Sequence, residues 1–190
     1  MQPNKDFQSF LIQDKQGEQF EICRIQPQDY LGICRMVLDN KERLQTYFPL
    51  TKSANLTPEL SRQFALVKSK QFDDNEEYLF VLKSKKSEKI IGLIYIKELH
   101  WTKQRGEFAY CIDSQFEGRG ITTQVVQSLS SYAFDHLGLA ILQIIAHKTN
   151  VNSIKVAEKC NFTWLRTLEN SYTPPGKLPL DMELYERHQS

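Results

Sequence analysis

The chain has 190 residues, of which 41% are hydrophobic and 25% are charged, a composition typical of a folded globular protein. Its formal net charge of +1 gives no basis for a nucleic-acid-binding surface. No apolar run approaches the roughly 20 residues that a membrane helix needs, so we expect no membrane partner.

The first half of the chain predicts a hairpin followed by two helices. Residues 7–25 alternate as two strands around a turn, and Pro27 then opens a helix. Residues 43–55 contain Leu44, Tyr47, Phe48, Pro49 and Leu50, which predict a hydrophobic connector packed on the core. Thr57 and Pro58 form an N-cap and first-turn pair that starts the next helix.

The second half predicts a strand meander and then an alternation of helices and strands. The basic run at 83–89 lies between two strand patterns, which favours a solvated hairpin turn over a polyanion site. The predicted strands are 78–82, 89–96, 107–112, 140–146, 162–168 and 180–185, and the predicted helices are 121–137, which ends at Gly138, and 153–159. These elements predict a single α/β (α+β) domain over residues 1–190 with a mixed sheet.

A glycine-bearing turn at residues 115–123 joins a predicted strand to a strongly periodic helix. Gly118 and Gly120 allow a tight turn and a close approach of a ligand to the backbone. The first turn of the following helix has unpaired N–H groups and a positive dipole end, which suit a phosphate. The spacing matches neither the nucleoside-triphosphate loop nor the dinucleotide fingerprint. The residues alone predict either a diphosphate site or a loop that uses glycine only for its geometry.

The cysteines and histidines form neither a disulfide framework nor a metal-ligand pattern. They are Cys23, Cys34, Cys111, Cys160, His100, His136, His147 and His188. Scattered cysteines with no Cys-x-x-Cys spacing favour buried, reduced thiols over a catalytic thiol, and we expect no metal. Because residues 1–6 carry no apolar core for export, we expect a cytoplasmic protein.

Three blocks of sequence, taken together, resemble the GNAT superfamily of acetyl-CoA-dependent N-acetyltransferases, and within it the RimJ/RimL type. Gln115, Gly118 and Gly120 match the Arg/Gln-x-x-Gly-x-Gly/Ala turn that binds the CoA pyrophosphate in that family. Residues 150–162 match its Asn-x-x-Ser helix, and residues 106–110 are similar to its Ala-Glu-x-Gly-Tyr strand. The resemblance implies a central, mostly antiparallel sheet that is flanked by helices and splayed at the acetyl-CoA site.

The resemblance also implies acetyl-CoA as cosubstrate and assigns residues to bind it. The positions that match are Cys111, Ile112, Asp113, Gln115, Gly118, Arg119, Gly120, Ile121, Thr122, Asn150 and Ser153. The backbone of 111–113 would pair with pantetheine, and the amides of 118–122 would hold the pyrophosphate with Arg119 available for charge pairing. Asn150 would hydrogen-bond a pantetheine amide, and Ser153 would protonate the leaving thiolate. From the residues alone, Asn150 and Ser153 could equally be helix caps.

The general base is the point at which the chain departs from its relatives. RimL-like members often carry a Glu three residues after the Phe that ends the helix block, and Leu165 occupies that position here. We therefore predict Glu107 as the base, acting through a water, with Glu169 and Tyr110 as alternatives. Desolvation of the amine could also remove its proton without a dedicated residue. A second departure is Asn161 in place of a glycine, for which we expect a left-handed backbone.

The combined prediction is an N-acetyltransferase in which a primary amine attacks the thioester of acetyl-CoA directly. The acceptor is either a protein N-terminus, such as a ribosomal one, or a small amine such as a polyamine, an amino sugar or an antibiotic. By resemblance, residues 43–55 also help to wall the acceptor site. The competing hypothesis, which Leu165 keeps open, is a non-catalytic CoA-binding or regulatory module. A homodimer is left open as well.

Overall fold

The computed structural model of the chain describes residues 7–189, which form eight strands and six α-helices. The strands are β1 Phe10–Gln13, β2 Gln19–Arg24, β3 Tyr78–Ser84, β4 Ile90–His100, β5 Arg105–Ile112, β6 Ile141–Ala146, β7 Thr163–Tyr172 and β8 Leu180–His188. The helices are α1 Tyr30–Asp39, α2 Lys41–Tyr47, α3 Pro49–Ser53, α4 Pro58–Asp73, α5 Ile121–Asp135 and α6 Val151–Lys159.

The strands form one sheet in the order β1-β2-β3-β4-β5-β6-β8-β7. The pairs β1–β2, β2–β3, β6–β8 and β7–β8 are antiparallel, whereas β5 and β6 run parallel. The predicted mixed, mostly antiparallel sheet is therefore confirmed. β7 forms one edge, and its register against β8 shifts between Trp164 and Arg166 and again between Leu168 and Tyr172.

The N-terminal hairpin is confirmed, and a single carboxylate fixes its turn. β1 pairs with β2 from Phe10↔Ile22 to Gln13↔Gln19. Oδ1 of Asp14 accepts hydrogen bonds from the N–H groups of Gln16 (2.8 Å) and Glu18 (2.9 Å), which is how an Asp side chain closes a turn on its own backbone.

Residues 43–55 connect α1 to α4, and their helical structure was not predicted. They lie in two short helices, α2 and α3, because Pro49 at the first position of α3 is preorganised to begin a helix. Leu44 is buried, and the Thr51 hydroxyl lies 3.0 Å from the Tyr95 hydroxyl, which is also buried. The segment is thus an ordered, hydrogen-bonded part of the fold.

Local signals at two helix ends predict the structure correctly. Thr57 caps α4, since its Oγ1 accepts a hydrogen bond from the N–H of Leu60. Asn161 has φ 61°, and it ends α6 with the N–H of Phe162 donating to the C=O of Ala157 (3.0 Å). This arrangement is the Schellman motif, in which a glycine or an asparagine adopts the left-handed conformation after the helix. The expected conformation of Asn161 is confirmed.

Contacts between Cα atoms divide the described chain into two compact units. The N-terminal unit comprises residues 7–95 and 110–121, and the C-terminal unit comprises residues 96–109 and 122–189. Aromatic side chains fill both: the rings of Phe72 and Phe80 pack edge to face at 5.3 Å in the N-terminal unit. Each such buried ring contributes about 1.5–3 kcal/mol through the hydrophobic effect. The C-terminal unit has Phe108 packed against Phe162.

Candidate active site

A tight turn, residues 113–120, follows β5 in the N-terminal unit. Asp113 organises its start, because its Oδ1 accepts the N–H of Gln115 at 3.1 Å and its C=O accepts the N–H of Phe116 at 2.9 Å. The Phe116 ring packs edge-on against the buried ring of Phe20, with 5.8 Å between centroids. The turn is therefore anchored in the core before the glycines are reached.

Gly118 and Gly120 both have left-handed backbone, with φ of 73° and 79°. Residues with a side chain adopt this conformation only at a cost, so the geometry favours glycine at both positions. Among the described residues, no group accepts a hydrogen bond from the N–H of Gly118, Arg119 or Gly120. α5 begins at the next residue, and the first amides of a helix lack intrahelical partners. The turn thus presents unpaired N–H groups, as an anion site does.

Arg119, predicted to be available for the pyrophosphate, is bound to the β1–β2 hairpin. Its Nη1 lies 3.0 Å from Oε2 of Glu18 and 3.5 Å from Oδ2 of Asp14, and its Nη2 donates to the C=O of Gln115. The guanidinium also lies 4.7 Å from the centroid of the Phe116 ring. Two carboxylates therefore neutralise this cation, and its pairing with a phosphate stays a prediction.

The Asp14 carboxylate that receives Arg119 has a fully buried side chain. Burial by itself raises the pKa of a carboxyl group, but the N–H groups of Glu18 and Gln16 and the Arg119 guanidinium outweigh it. Together they hold the pKa of Asp14 below its ordinary value of 3.8. The charged form of Asp14 is therefore part of what stabilises the hairpin.

Two residues at the junction of α1 and α2 hold the start of the same turn. Asn40 is 4% exposed, and its Oδ1 accepts the N–H of Ser114 at 3.0 Å. Arg43 donates a long hydrogen bond (3.4 Å) from Nη1 to the C=O of Ile112, and its Nη2 pairs with the Glu117 carboxylate. We did not predict these roles. Nothing in the local pattern around Asn40 identifies its partner, which lies 74 residues away.

Backbone hydrogen bonds at the end of β5 distinguish between the three residues predicted to pair with pantetheine. The N–H of Asp113 donates to the C=O of Ile91 on β4 at 2.7 Å, so that both its backbone groups are already used. Successive residues of a strand direct their N–H groups to opposite edges, so the N–H of Ile112 points away from β4. Cys111 lies close to Gly92, where an added Cβ would stand 3.0 Å from the Cys111 C=O. Ile112 is therefore the strongest of the three candidates.

The Cys111 thiol is not disposed to act as a nucleophile. Burial raises its pKa to about 12, so the thiolate is a very minor species near neutral pH. Burial likewise raises the pKa of Cys23 and of Cys160 to about 11.

The described residues contain no group of three or more His, Cys, Asp or Glu side chains that could hold a metal ion. Nor does any helix of residues 7–189 combine the length and apolar character needed to cross a membrane.

Asn150 and Ser153 lie at the start of α6 in the C-terminal unit. Asn150 is the N-cap, and its Oδ1 accepts the N–H of Ser153 at 3.2 Å. The capping role that the residues allow is thus observed for Asn150, whereas Ser153 is a half-buried residue of the first helical turn. The cap leaves the Asn150 amide nitrogen and the Ser153 hydroxyl outside this bond, so it does not preclude their predicted roles.

Glu107, the predicted base, lies on the part of β5 that pairs with β6. The register runs without interruption from Arg105↔Ile141 to Phe108↔Ile144, so no bulge reverses the strand phase here. The Glu107 side chain is 15% exposed, and its Oε1 lies 2.8 Å from Nζ of Lys97. Beyond Phe108↔Ile144, the last two residues of β6, Ile145 and Ala146, have no partner in that register.

The position of the family's usual base and the two alternative bases, Glu169 and Tyr110, lie on β7 and β5. Leu165, which replaces the carboxylate expected from the family, is half exposed on β7. Glu169 lies on the same strand and is exposed. Tyr110 is half-buried on β5 and belongs to the N-terminal unit, whereas Glu107 belongs to the C-terminal one.

Comparison with known proteins is consistent with this geometry. The model of the Acetyltransferase (GNAT) domain family matches residues 19–163. A putative ribosomal N-acetyltransferase of Bacillus subtilis, YdaF, is 26% identical over 156 residues, which are 78% of this chain and 80% of that protein.

Two solved structures share the fold over almost the whole chain. The ribosomal-protein-S5-alanine acetyltransferase of Vibrio fischeri superposes with a TM-score of 0.87 at 21% identity, covering 96% of this chain and 97% of that one. RimJ of Mycobacterium smegmatis, solved in complex with CoA-disulfide, also gives a TM-score of 0.87, at 15% identity, covering 99% and 90%.

The buried Asp14 carboxylate predicts a specific pH dependence of stability. A carboxyl group whose pKa is lowered by folding adds stability above its unfolded pKa, and that stability is lost as the pH falls through the folded pKa. Asp14→Asn keeps the Oδ1 acceptor for Gln16 and Glu18 but removes the titration. We expect its free energy of unfolding, measured with urea between about pH 5 and pH 2, to fall less steeply than that of the parent.

Arg119→Gln provides the matched comparison for this experiment. It removes the guanidinium but leaves the two N–H donors of the hairpin turn, so its pH dependence should lie between those of Asp14→Asn and the parent. An Asp14→Asn profile parallel to the parent over the whole range would contradict the assignment.

Proposed function

The chain belongs to the GNAT family of acetyltransferases, and on that premise we propose that it transfers the acetyl group of acetyl-CoA to a primary amine by direct attack on the thioester. The observation that carries the proposal is the left-handed turn at Gly118 and Gly120, with its unpaired N–H groups ahead of α5. The fold of RimJ, which was solved with CoA-disulfide, supports CoA as the ligand. We propose a single acetyltransferase domain that uses no metal.

The donor would be held by backbone more than by side chains. The pyrophosphate would lie on the amides of Gly118 to Thr122, where N–H groups and the positive end of α5 favour negative charge. Pantetheine would pair with β5 through the Ile112 N–H, which points away from β4, as an added strand pairs with a sheet edge. Gln115 matches the family turn. Its C=O accepts a hydrogen bond from Nη2 of Arg119, which fixes the backbone ahead of the glycines.

The reaction forms a bond between the amine nitrogen and the acetyl carbon and breaks the bond between that carbon and sulfur. The amine must be neutral to attack, and the departing thiolate takes up a proton. A backbone N–H of β5 would stabilise the negative oxygen that develops in between. The high pKa of Cys111 argues against an acetyl-cysteine intermediate on this residue, which supports direct attack.

Ser153 and Glu107 would carry the two proton transfers. The Ser153 hydroxyl would protonate the thiolate, with the Asn150 cap holding the first turn of α6 in place. Glu107 would accept the amine proton through a water, while Lys97 fixes the orientation of its carboxylate. The Ser153 assignment follows from the family motif, and Glu107 is proposed because Leu165 occupies the usual position of the base; both residues belong to the C-terminal unit.

A protein N-terminus is the acceptor we favour. The support comes from two similar proteins whose names refer to ribosomal acceptors, YdaF and the acetyltransferase of Vibrio fischeri that acts on protein S5. A ribosomal acceptor also implies a cytoplasmic location. Leu165 in place of a carboxylate is the observation that favours the second candidate, a CoA-binding module without turnover.

The test combines a binding assay with an activity assay on matched glycine variants. Gly120→Ala places a methyl group in the phosphate-binding turn, and Gly138→Ala places one at a position with a similar φ of 70°. The strain should be similar, about 1–2 kcal/mol, because neither new Cβ would contact another atom closer than 3.7 Å. We expect only Gly120→Ala to lose CoA affinity by calorimetry, by tenfold or more as an order of magnitude.

Activity is then measured with acetyl-CoA and a panel of acceptors. The panel comprises peptides with N-terminal alanine or serine, spermidine, an amino sugar and a free amino acid. Transfer to a peptide supports a protein N-terminus as the acceptor. Transfer only to a small amine would show that the acceptor is a small molecule. Tight CoA binding without transfer or hydrolysis would identify the non-catalytic module, and no CoA binding would end the proposal altogether.

Ser153→Ala separates the acid from the helix cap. The Asn150 side chain accepts the Ser153 N–H, and Ser153→Ala leaves this bond in place. If the hydroxyl protonates the thiolate, kcat should fall on the order of a hundredfold, with Kd for CoA changing much less. Ser153→Thr, which keeps a hydroxyl, should retain more activity. Unchanged kcat in Ser153→Ala would reduce the residue to a structural role.

Glu107→Gln tests the base while preserving the side-chain volume. We expect kcat to fall and the acidic limb of the pH–rate profile to flatten, because the group that must be ionised is gone. Lys97→Gln removes the ion-pair partner and keeps the carboxylate, so its pH profile should retain the limb. A Glu107→Gln enzyme with the parent's rate and profile would assign deprotonation to the desolvated amine or to another group.

A further inference from the structure

The β1–β2 hairpin lies directly against the glycine turn of the N-terminal unit. Arg119 joins the two through Asp14 and Glu18. Lys15, at the tip of the hairpin, runs beside Gly120, since a Cβ built on that glycine would stand 3.7 Å from Cε of Lys15. The ammonium group of Lys15 is one bond beyond this atom. It can therefore reach a ligand that rests on the Gly120 amide.

Among the described side chains named at this turn, Lys15 is the cation without a carboxylate partner. Arg119 is neutralised by Asp14 and Glu18, and Arg43 is paired with Glu117. Lys15 is exposed and forms no ion pair with any residue of the described chain. The carboxylates of Asp14, Glu18, Asp113 and Glu117 outnumber the two guanidinium groups of this region, so a pyrophosphate would meet net negative charge, which Lys15 would reduce.

We propose that Lys15 binds the pyrophosphate of CoA and supplies the positive charge of the donor site. The backbone amides of the turn would orient the phosphates, and the ammonium group would act as a mobile point charge against them. In this arrangement Arg119 has a different task, because it positions the hairpin that carries Lys15. The inference rests on the proposed function, since it requires that the turn bind CoA.

Lys15→Gln and Lys15→Glu test the proposal by calorimetry with CoA and with dephospho-CoA. An exposed charge pair contributes up to about 1 kcal/mol, so Lys15→Gln should weaken CoA binding roughly fivefold and Lys15→Glu more. The loss should be the same with dephospho-CoA, which keeps the pyrophosphate, and it should shrink at high salt. Lys86→Gln changes an exposed lysine in the turn between β3 and β4 that forms no ion pair with another described residue; it is the matched control and should bind as the parent does.

The outcomes separate this inference from the proposed function. If the parent and Lys86→Gln bind CoA and Lys15→Gln binds equally well, the inference is overturned while the function stands. A loss seen with CoA and absent with dephospho-CoA would assign Lys15 to the 3′-phosphate and overturn the pyrophosphate contact. If the parent binds no CoA, the proposed function itself fails. Thermal unfolding of the variants should match the parent, because Lys15 is an exposed turn residue.

Discussion

The buried carboxylate of Asp14 is the group on which the candidate donor site depends. One oxygen closes the β1–β2 turn through two backbone N–H groups, and the other receives Arg119 from a turn 105 residues later. A buried anion is tolerated because it is hydrogen-bonded on both oxygens and paired with a cation. Its removal would loosen two turns at once. The N-terminal hairpin is thus part of the architecture of the glycine turn and not an appendage to the sheet.

Local sequence patterns predicted the helix ends and the glycine turn, because contacts between residues close in sequence form these features. Thr57 caps α4 by accepting the N–H of a residue three positions later, and Asn161 ends α6 in a left-handed backbone conformation that asparagine and glycine favour. The same holds for the turn at Gly118 and Gly120, whose geometry is confirmed by their positive φ values. Residues 43–55 escaped prediction because their two helices are short, and short helices depend on tertiary packing more than on propensity.

The partners of the charged residues could not be predicted from the sequence in this way. Arg119 was assigned to a phosphate because it stands in the glycine turn, yet its contacts are Asp14 and Glu18. The anchors of the turn, Asn40 between α1 and α2 and Arg43 on α2, lie about 70 residues earlier in the chain. Such pairings are decided by how distant elements pack, and no local periodicity records them. The proposed Lys15 contact belongs to the same class.

The edge of the sheet at β7 bears on how the protein behaves at high concentration. An exposed edge strand with two large apolar side chains, Trp164 and Leu165, is a template for the addition of strands from other molecules. The two register shifts along β7 interrupt the regular row of hydrogen-bonding groups that such addition needs. Trp164 is further restrained because its indole N–H donates to the Glu183 carboxylate at 2.6 Å. The irregular register of β7 therefore disfavours aggregation of the folded chain by strand addition. Substitutions that made the pairing of β7 with β8 regular would favour such addition.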